Sequence, residues 1–246
     1  MSDFTPTLPY QLPVSDLNYR FLSSPNPYAQ KLQLFNSIVS VDHEGEHYKG
    51  LWRSKFLDPS LNNPQTKLHV EIGCSTGHVM RARAAREPNV GHIGIEWKFK
   101  IVHQGAEKAI KHGLKNVHFL RTHAERLGYL FGQSEVDQFS VYFSDPWPKP
   151  SQHKNRILKS SFFLAAGHAL KSGGIIDIRT DHKAYFIDTL EILNEFRTTY
   201  ETIDMTLDRH QGNKDAGALD IPEVTLFEKI FIKQGLPIFM ITLRKL

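Results

Sequence analysis

From Lys67 to about Arg197, strand-like and helix-like segments alternate with short connections, and this alternation limits the possible folds more than any other property of the chain. Leu68 to Ile72 reads as a strand, Gly77 to Arg86 as a helix that stops before Pro88, and His92 to Glu96 as the next strand. A helix is expected from about Lys98 to His112, closed by Gly113, then a third strand from Asn116 to Leu120 and a short helix from Ala124 to Leu130. Phe139 to Phe143 supplies a fourth strand, Phe162 to Leu170 a helix ended at Gly173-Gly174, and Ile175 to Ile178 a fifth strand leading into Thr180-Asp181 and another helix. Strands joined through helices lie side by side and point the same way. The pattern therefore predicts an α/β fold with a doubly wound, mostly parallel sheet and helices on both faces. Thr202 to Leu207 and Ile238 to Leu243 read as further strands around a polar loop from Arg209 to Asp220, the last strand being antiparallel.

What precedes Lys67 is different in character. Pro6, Pro9, Pro13, Pro25 and Pro27 stand among Tyr10, Tyr19, Phe21 and Tyr28, which predicts an extended arm that packs on the body or on a partner. Residues 1–50 are expected to be an N-terminal extension and residues 51–246 the main domain. A single cysteine, Cys74, excludes an intrachain disulfide, and with so few thiolates no metal site is expected. No signal-peptide pattern and no run of about 18 apolar residues is present, so a cytoplasmic protein without a membrane partner is expected. Monomer and homodimer both stay open.

The fourth strand has to stop near Asp145, because Pro146 and Pro148 cannot donate ladder hydrogen bonds. In open α/β sheets ligands bind beyond the carboxyl ends of the strands, which is where Asp145 and Trp147 would project. From Pro146 to Ile176 there is no acidic residue, while Lys149, Lys154, Arg156, Lys159 and Lys171 are all present. A carboxylate next to such a basic shelf suits chemistry on a polyanion, although a Lys/Arg run is also what a solvated helix face looks like. The net formal charge of +4 permits a nucleic-acid partner without requiring one.

Two further signals concern a small-molecule site. Glu71-Ile72-Gly73-Cys74-Ser75-Thr76-Gly77 turns the first strand into the first helix, and glycines there let a ligand approach the backbone and the helix N-terminus. Taken alone it is equally a tight turn. Glu96 closes the second strand about twenty residues further on, where an acid can accept both hydroxyls of a ribose. A nucleoside-containing ligand fits both signals, and NAD remains open on them.

Glu-Ile-Gly-x-x-x-Gly, Gly94-Ile95-Glu96, Asp145-Pro-Trp-Pro-Lys149 with His153-Lys154-x-Arg156, Thr180-Asp181, and Thr225-Leu-Phe-Glu228-Lys229 with Gly235 occur in that order. Over about Leu51 to Leu246 the chain thus resembles the bacterial tRNA (guanine-N7) methyltransferase family. The resemblance implies a Rossmann-like class I methyltransferase fold, S-adenosylmethionine as donor, and a guanine in the variable loop of tRNA as acceptor. It also implies roles for particular residues. Glu71, with Gly73 and Gly77, matches the methionine end of the donor site, Glu96 its ribose acid, and His123 stands where the family has an Asp directed at the adenine. Asp145 matches the catalytic acid, and Lys149, Asp181 and the Thr225 to Glu228 segment match substrate contacts, with Lys154 and Arg156 expected on phosphate. Ser144 replaces a common Pro, and Pro150-Ser151-Gln152 part of a more basic run.

Two rival readings stay on the table. Asp145-Pro-Trp is also a distant relative of the Asp-Pro-Pro-aromatic signature of enzymes that methylate exocyclic amines, and Ser75 with His123 is compatible with a tRNA-binding protein that has lost turnover.

Overall fold

The computed structural model of the chain describes residues 11–20, 26–210 and 223–246. Its centre is one eight-stranded sheet: β1 (Val39–Val41), β2 (Lys67–Ile72), β3 (Val90–Glu96), β4 (Val117–Arg121), β5 (Val136–Tyr142), β6 (Leu170–Thr180), β7 (Tyr200–Thr206) and β8 (Phe239–Lys245). The spatial order is β1-β4-β3-β2-β5-β6-β8-β7. β1 through β6 pair in parallel, whereas β8 runs antiparallel to both β6 and β7. From β2 the chain winds outward to β3 and β4, then crosses back to place β5 on the other side of β2. The order thus reverses between β2 and β5, and a crevice opens at such a switch point.

Helices cover both faces, as the alternation requires. α3 (His78–Arg86) and α4 (Phe99–Lys111) pack on one, and α5 (Leu127–Leu130), α6 (Ser160–Ala169) and α7 (Lys183–Leu193) on the other. The buried residues of α4, Phe99, Val102, Gly105, Ala106 and Ala109, recur every three to four positions and so form one stripe. Within β4, Phe119 belongs to the core beneath α3 and α4 while Leu120 belongs to the core on the opposite face, the period-two alternation of a strand buried on both sides.

The segment before β2 departs from expectation. Pro27–Lys31 forms a short helix, α1, where an extended chain was anticipated: Pro27 sits at the first helical position, where its missing N–H costs nothing, and the Asn26 side chain accepts from the Tyr28 N–H. β1 then adds a strand beside β4 and leads into α2 (Asp42–His47), whose buried Asp42 pairs with Arg121 and accepts from Thr122 Oγ1 at 2.9 Å. Among residues 11–20, the Val14 N–H donates to Glu46 at 3.1 Å, and Leu12 accepts from Arg126, also at 3.1 Å. Residues 1–10 and 21–25 of the expected arm, and most of the polar loop before Asp220, lie outside the described residues.

Gly173-Gly174 is not the end of α6 but part of β6, which begins at Leu170. Val136 pairs with Leu170 and Gln138 with Ile175, so the extra residues of β6 bulge, and Gly173 supplies the positive φ of 77° that the bulge needs. A helix absent from the sequence reading, α8 (Leu226–Lys233), precedes β8. No helix among the described residues is long and apolar enough to cross a membrane.

Candidate active site

The carboxyl ends of β2, β3 and β4 build one side of the crevice. Gly73, Ser75 and Gly77 all have positive φ, at 67°, 52° and 67°, so the loop after β2 is a run of left-handed turns that exposes backbone. A side chain at Gly77 is disfavoured on two counts, since a Cβ there would be strained by the positive φ and would also meet the Phe119 ring at 3.0 Å. Ser75 takes the left-handed conformation without a glycine's freedom, a local strain of the kind found at ligand sites. Glu71 keeps some surface, yet protein packs round its carboxyl so that burial pushes the pKa up to about 7, against the lowering pull of the Arg83 charge and the Met80 amide. Burial raises Glu96 in the same way, opposed chiefly by the Lys98 amide, which donates to the carboxylate at 2.9 Å.

Beyond Glu96, the Trp97 indole lies against the His123 imidazole, with centroids 5.5 Å apart and planes at 25°. Burial lowers the His123 pKa, so its ring is neutral near pH 7 and retains an acceptor nitrogen. Trp97 itself is half exposed and was not singled out from the sequence; the available signal was an aromatic residue directly after the strand-end acid.

The loop after β5 forms the other side. Asp145 is exposed three residues past the end of the strand, flanked by Phe143 and Trp147 at φ of 51° and 42°. Two left-handed non-glycine residues within five positions mark a loop forced into an unfavourable path by its surroundings. Those surroundings come from α7. Arg156 donates from Nε to the Pro146 carbonyl at 2.7 Å, pairs with Asp188 and lies 4.9 Å from the Tyr185 ring, while the Tyr185 hydroxyl accepts the Leu158 N–H at 3.1 Å. Lys149 and Lys154 are exposed on this loop, and Asp181 is half-buried just past the end of β6.

Three predicted contact residues are instead used inside the protein. Arg156 is 6% exposed and braces the Asp145 loop, so little of its side chain is left at the surface for a phosphate. Thr225 caps α8 and accepts the Glu228 N–H at 2.9 Å, while Glu228 accepts the Thr225 N–H at 3.1 Å. Fully buried, Glu228 also meets Arg179 at 3.5 Å, Arg209 at 3.1 Å and His210 at 3.0 Å. Such a carboxylate has no capacity left for a base edge. It fixes the helix that borders the crevice.

Away from the crevice, His69, Glu87 and His92 bring three possible metal-ligand atoms within 4.8 Å of one another. An Arg83 nitrogen lies 2.7 Å from His69 Nδ1 and 3.5 Å from the Glu87 carboxylate, so a fixed cation already serves this cluster.

Residues 65–241 match a family model described as a putative methyltransferase. The tRNA (guanine-N(7)-)-methyltransferase of Lachnoclostridium phytofermentans is 32% identical over 80% of this chain and 87% of its own length, and that of Bacillus licheniformis is 29% identical over 87% and 94%. In fold, the chain is similar to an rRNA methylase from Streptococcus thermophilus, with a TM-score of 0.50, 12% identity and coverage of 83% of this chain and 95% of that one. The family model over residues 65–241 and the relative 32% identical over 87% of its own length show the family: the chain belongs to the tRNA (guanine-N7-)-methyltransferase family.

Proposed function

We propose that the protein transfers a methyl group from S-adenosylmethionine to N7 of a guanine in the variable loop of tRNA. The observation that carries this reading is the position of the exposed Asp145 loop across the switch-point crevice from the left-handed loop after β2. The residues on the donor side fit that nucleoside: a turn that exposes backbone N–H groups, Glu71 for the ammonium of the methionine portion, Glu96 for the ribose hydroxyls, and the neutral His123 beside Trp97 for the adenine. When bound, the donor supplies an electrophilic methyl on a cationic sulfur.

Guanine N7 attacks that methyl carbon with its own lone pair, the carbon–sulfur bond breaks, and its electrons stay on sulfur. No proton has to be removed first and no metal is required, so the protein's task is in-line positioning. The positive charge that leaves sulfur arrives on the purine. Asp145 supplies the opposing charge, shielded from water once the RNA covers its loop. Lys149 and Lys154 hold phosphate, and Asp181 is available for the N1–H and N2 edge of guanine. Arg156 acts at one remove, holding the Pro146 carbonyl and thus the loop.

Asp145→Asn tests the assignment, because it is nearly isosteric and removes only the charge. Turnover should fall roughly tenfold or more while donor binding and melting temperature stay at wild-type values. Wild-type turnover in this variant refutes the role of Asp145. A wild-type protein that binds tRNA but gives no calorimetric response to the donor would point to the binding-only alternative.

A further inference from the structure

We propose that residues 12–19 of the N-terminal arm are a strap behind the adenine end of the donor site, and that Tyr19 is a positioning residue for S-adenosylmethionine, an inference that rests on the methyl-transfer reading above. The strap acts through the turn that carries His123. It gives a task to a segment that the family resemblance does not cover.

The support behind Trp97 and His123 is built on α2. Asp42 and Glu46 stand four residues apart, on one face of that helix, and each pairs with an arginine. The partner of Asp42 is Arg121, whose Nε donates to the Trp97 carbonyl at 2.8 Å. The partner of Glu46 is Arg126, the last residue of the short 3-10 turn Ala124–Arg126 that His123 caps. The Arg126 N–H closes that turn on the His123 carbonyl at 3.1 Å. The backbone at both rings is therefore held from α2.

The arm completes this support at the Glu46–Arg126 pair. Arg126 is fully buried, and three groups of the arm reach the pair. The Val14 N–H donates to the two Glu46 oxygens at 3.1 and 3.2 Å, the Leu12 carbonyl accepts from Arg126 Nη1 at 3.1 Å, and the Tyr19 ring lies 4.9 Å from the guanidinium carbon. Two successive turns, Asp16 N–H to the Pro13 carbonyl and Tyr19 N–H to the Asp16 carbonyl, both at 3.0 Å, fold the arm back so that the ring arrives there. The charges of Asp42, Arg121 and Arg126 act on the Tyr19 hydroxyl and on the His123 ring alike, so the two rings border one set of groups. A guanidinium walled in by a carboxylate, a carbonyl and an aromatic face is fixed in place, and the turn that begins at His123 is fixed with it. Without the ring, the donor has to order that turn as it binds, and affinity falls.

The test compares Tyr19→Ala, which removes the ring, with Tyr19→Phe, which keeps it. Calorimetric donor affinity, KM for the donor, kcat and tRNA affinity are measured on the full chain well below its melting temperature. Tyr19→Ala should weaken donor binding and raise the donor KM about five- to tenfold, with kcat at saturating donor and tRNA affinity unchanged and Tyr19→Phe near wild type. Adding Tyr19→Ala to His123→Ala should weaken the donor no further than His123→Ala alone, because the strap acts through that turn. Wild-type donor affinity in Tyr19→Ala, an equal loss in Tyr19→Phe, or the full extra loss on top of His123→Ala would overturn the strap. So would a loss confined to tRNA affinity, which would make the arm an RNA contact. Each of these results leaves the N7 reading standing. A wild-type protein with no calorimetric response to S-adenosylmethionine removes both.

Discussion

Glu71 is where burial and function pull in opposite directions. Burial pushes the pKa of its carboxyl up to about 7 because desolvation disfavours the charge, yet the donor's ammonium requires that charge. A proton and the donor therefore compete for Glu71, and donor affinity should rise between about pH 6 and pH 7 and level off above. Burial lowers the His123 pKa, so this ring contributes less to the slope than an exposed histidine would. Calorimetric titration across this range checks the expectation: wild type should show the slope and Glu71→Gln should be flat, whereas equal slopes would take Glu71 out of the donor site. The position of Glu71 was legible from the glycine loop behind it. Its pKa was not, because desolvation depends on what packs around the carboxyl in three dimensions. Ser75 shows the converse, as a non-glycine between Gly73 and Gly77 was visible in the sequence and the structure records its physical consequence, a left-handed serine.

At the scale of elements, the 144–158 loop and α8 show which parts of a motif can be read as chemistry. Lys149, Lys154 and Arg156 look alike in sequence, and the acid-free run invited one phosphate-binding role for all three. The fold separates them, leaving the lysines exposed while Arg156 pairs with Asp188. Phosphate contacts release counterions, so Lys154→Ala should reduce the slope of log affinity for tRNA against log salt by about 0.7 to 0.9. Arg156→Ala should leave the slope of the folded protein near wild type and lower its stability by about 2 kcal/mol, since a hydrogen-bonded charge is removed from a largely buried place. Salt series with melting curves on both variants decide this: a reduced slope in Arg156→Ala at full stability would return the guanidinium to the RNA. For α8, the signal was present as Thr225-x-x-Glu228 ahead of an apolar run, a capping box that announces a helix. The same two residues match a substrate-contact motif. Which role they play depends on Arg179, Arg209 and His210, brought to Glu228 only by folding.

Over the whole molecule, the βα alternation was enough to specify a doubly wound sheet, because each strand and helix carries its own period and punctuation. β1 escaped notice because three residues, Val39-Ser40-Val41, have no period to detect, and their strand character comes from pairing with β4. Long-range order explains the site in the same way. Glu71, Glu96 and Asp145 are far apart in sequence and converge because β3, β2 and β5 are consecutive in space with their carboxyl ends together. What the assembled crevice does to RNA decides the function. Transfer RNA is to be incubated with the protein and methyl-labelled S-adenosylmethionine, digested to nucleosides and resolved by mass spectrometry. The predicted result is label in N7-methylguanosine from the variable loop; label on an exocyclic amine of adenine or cytosine, or no label while the donor binds, would contradict it.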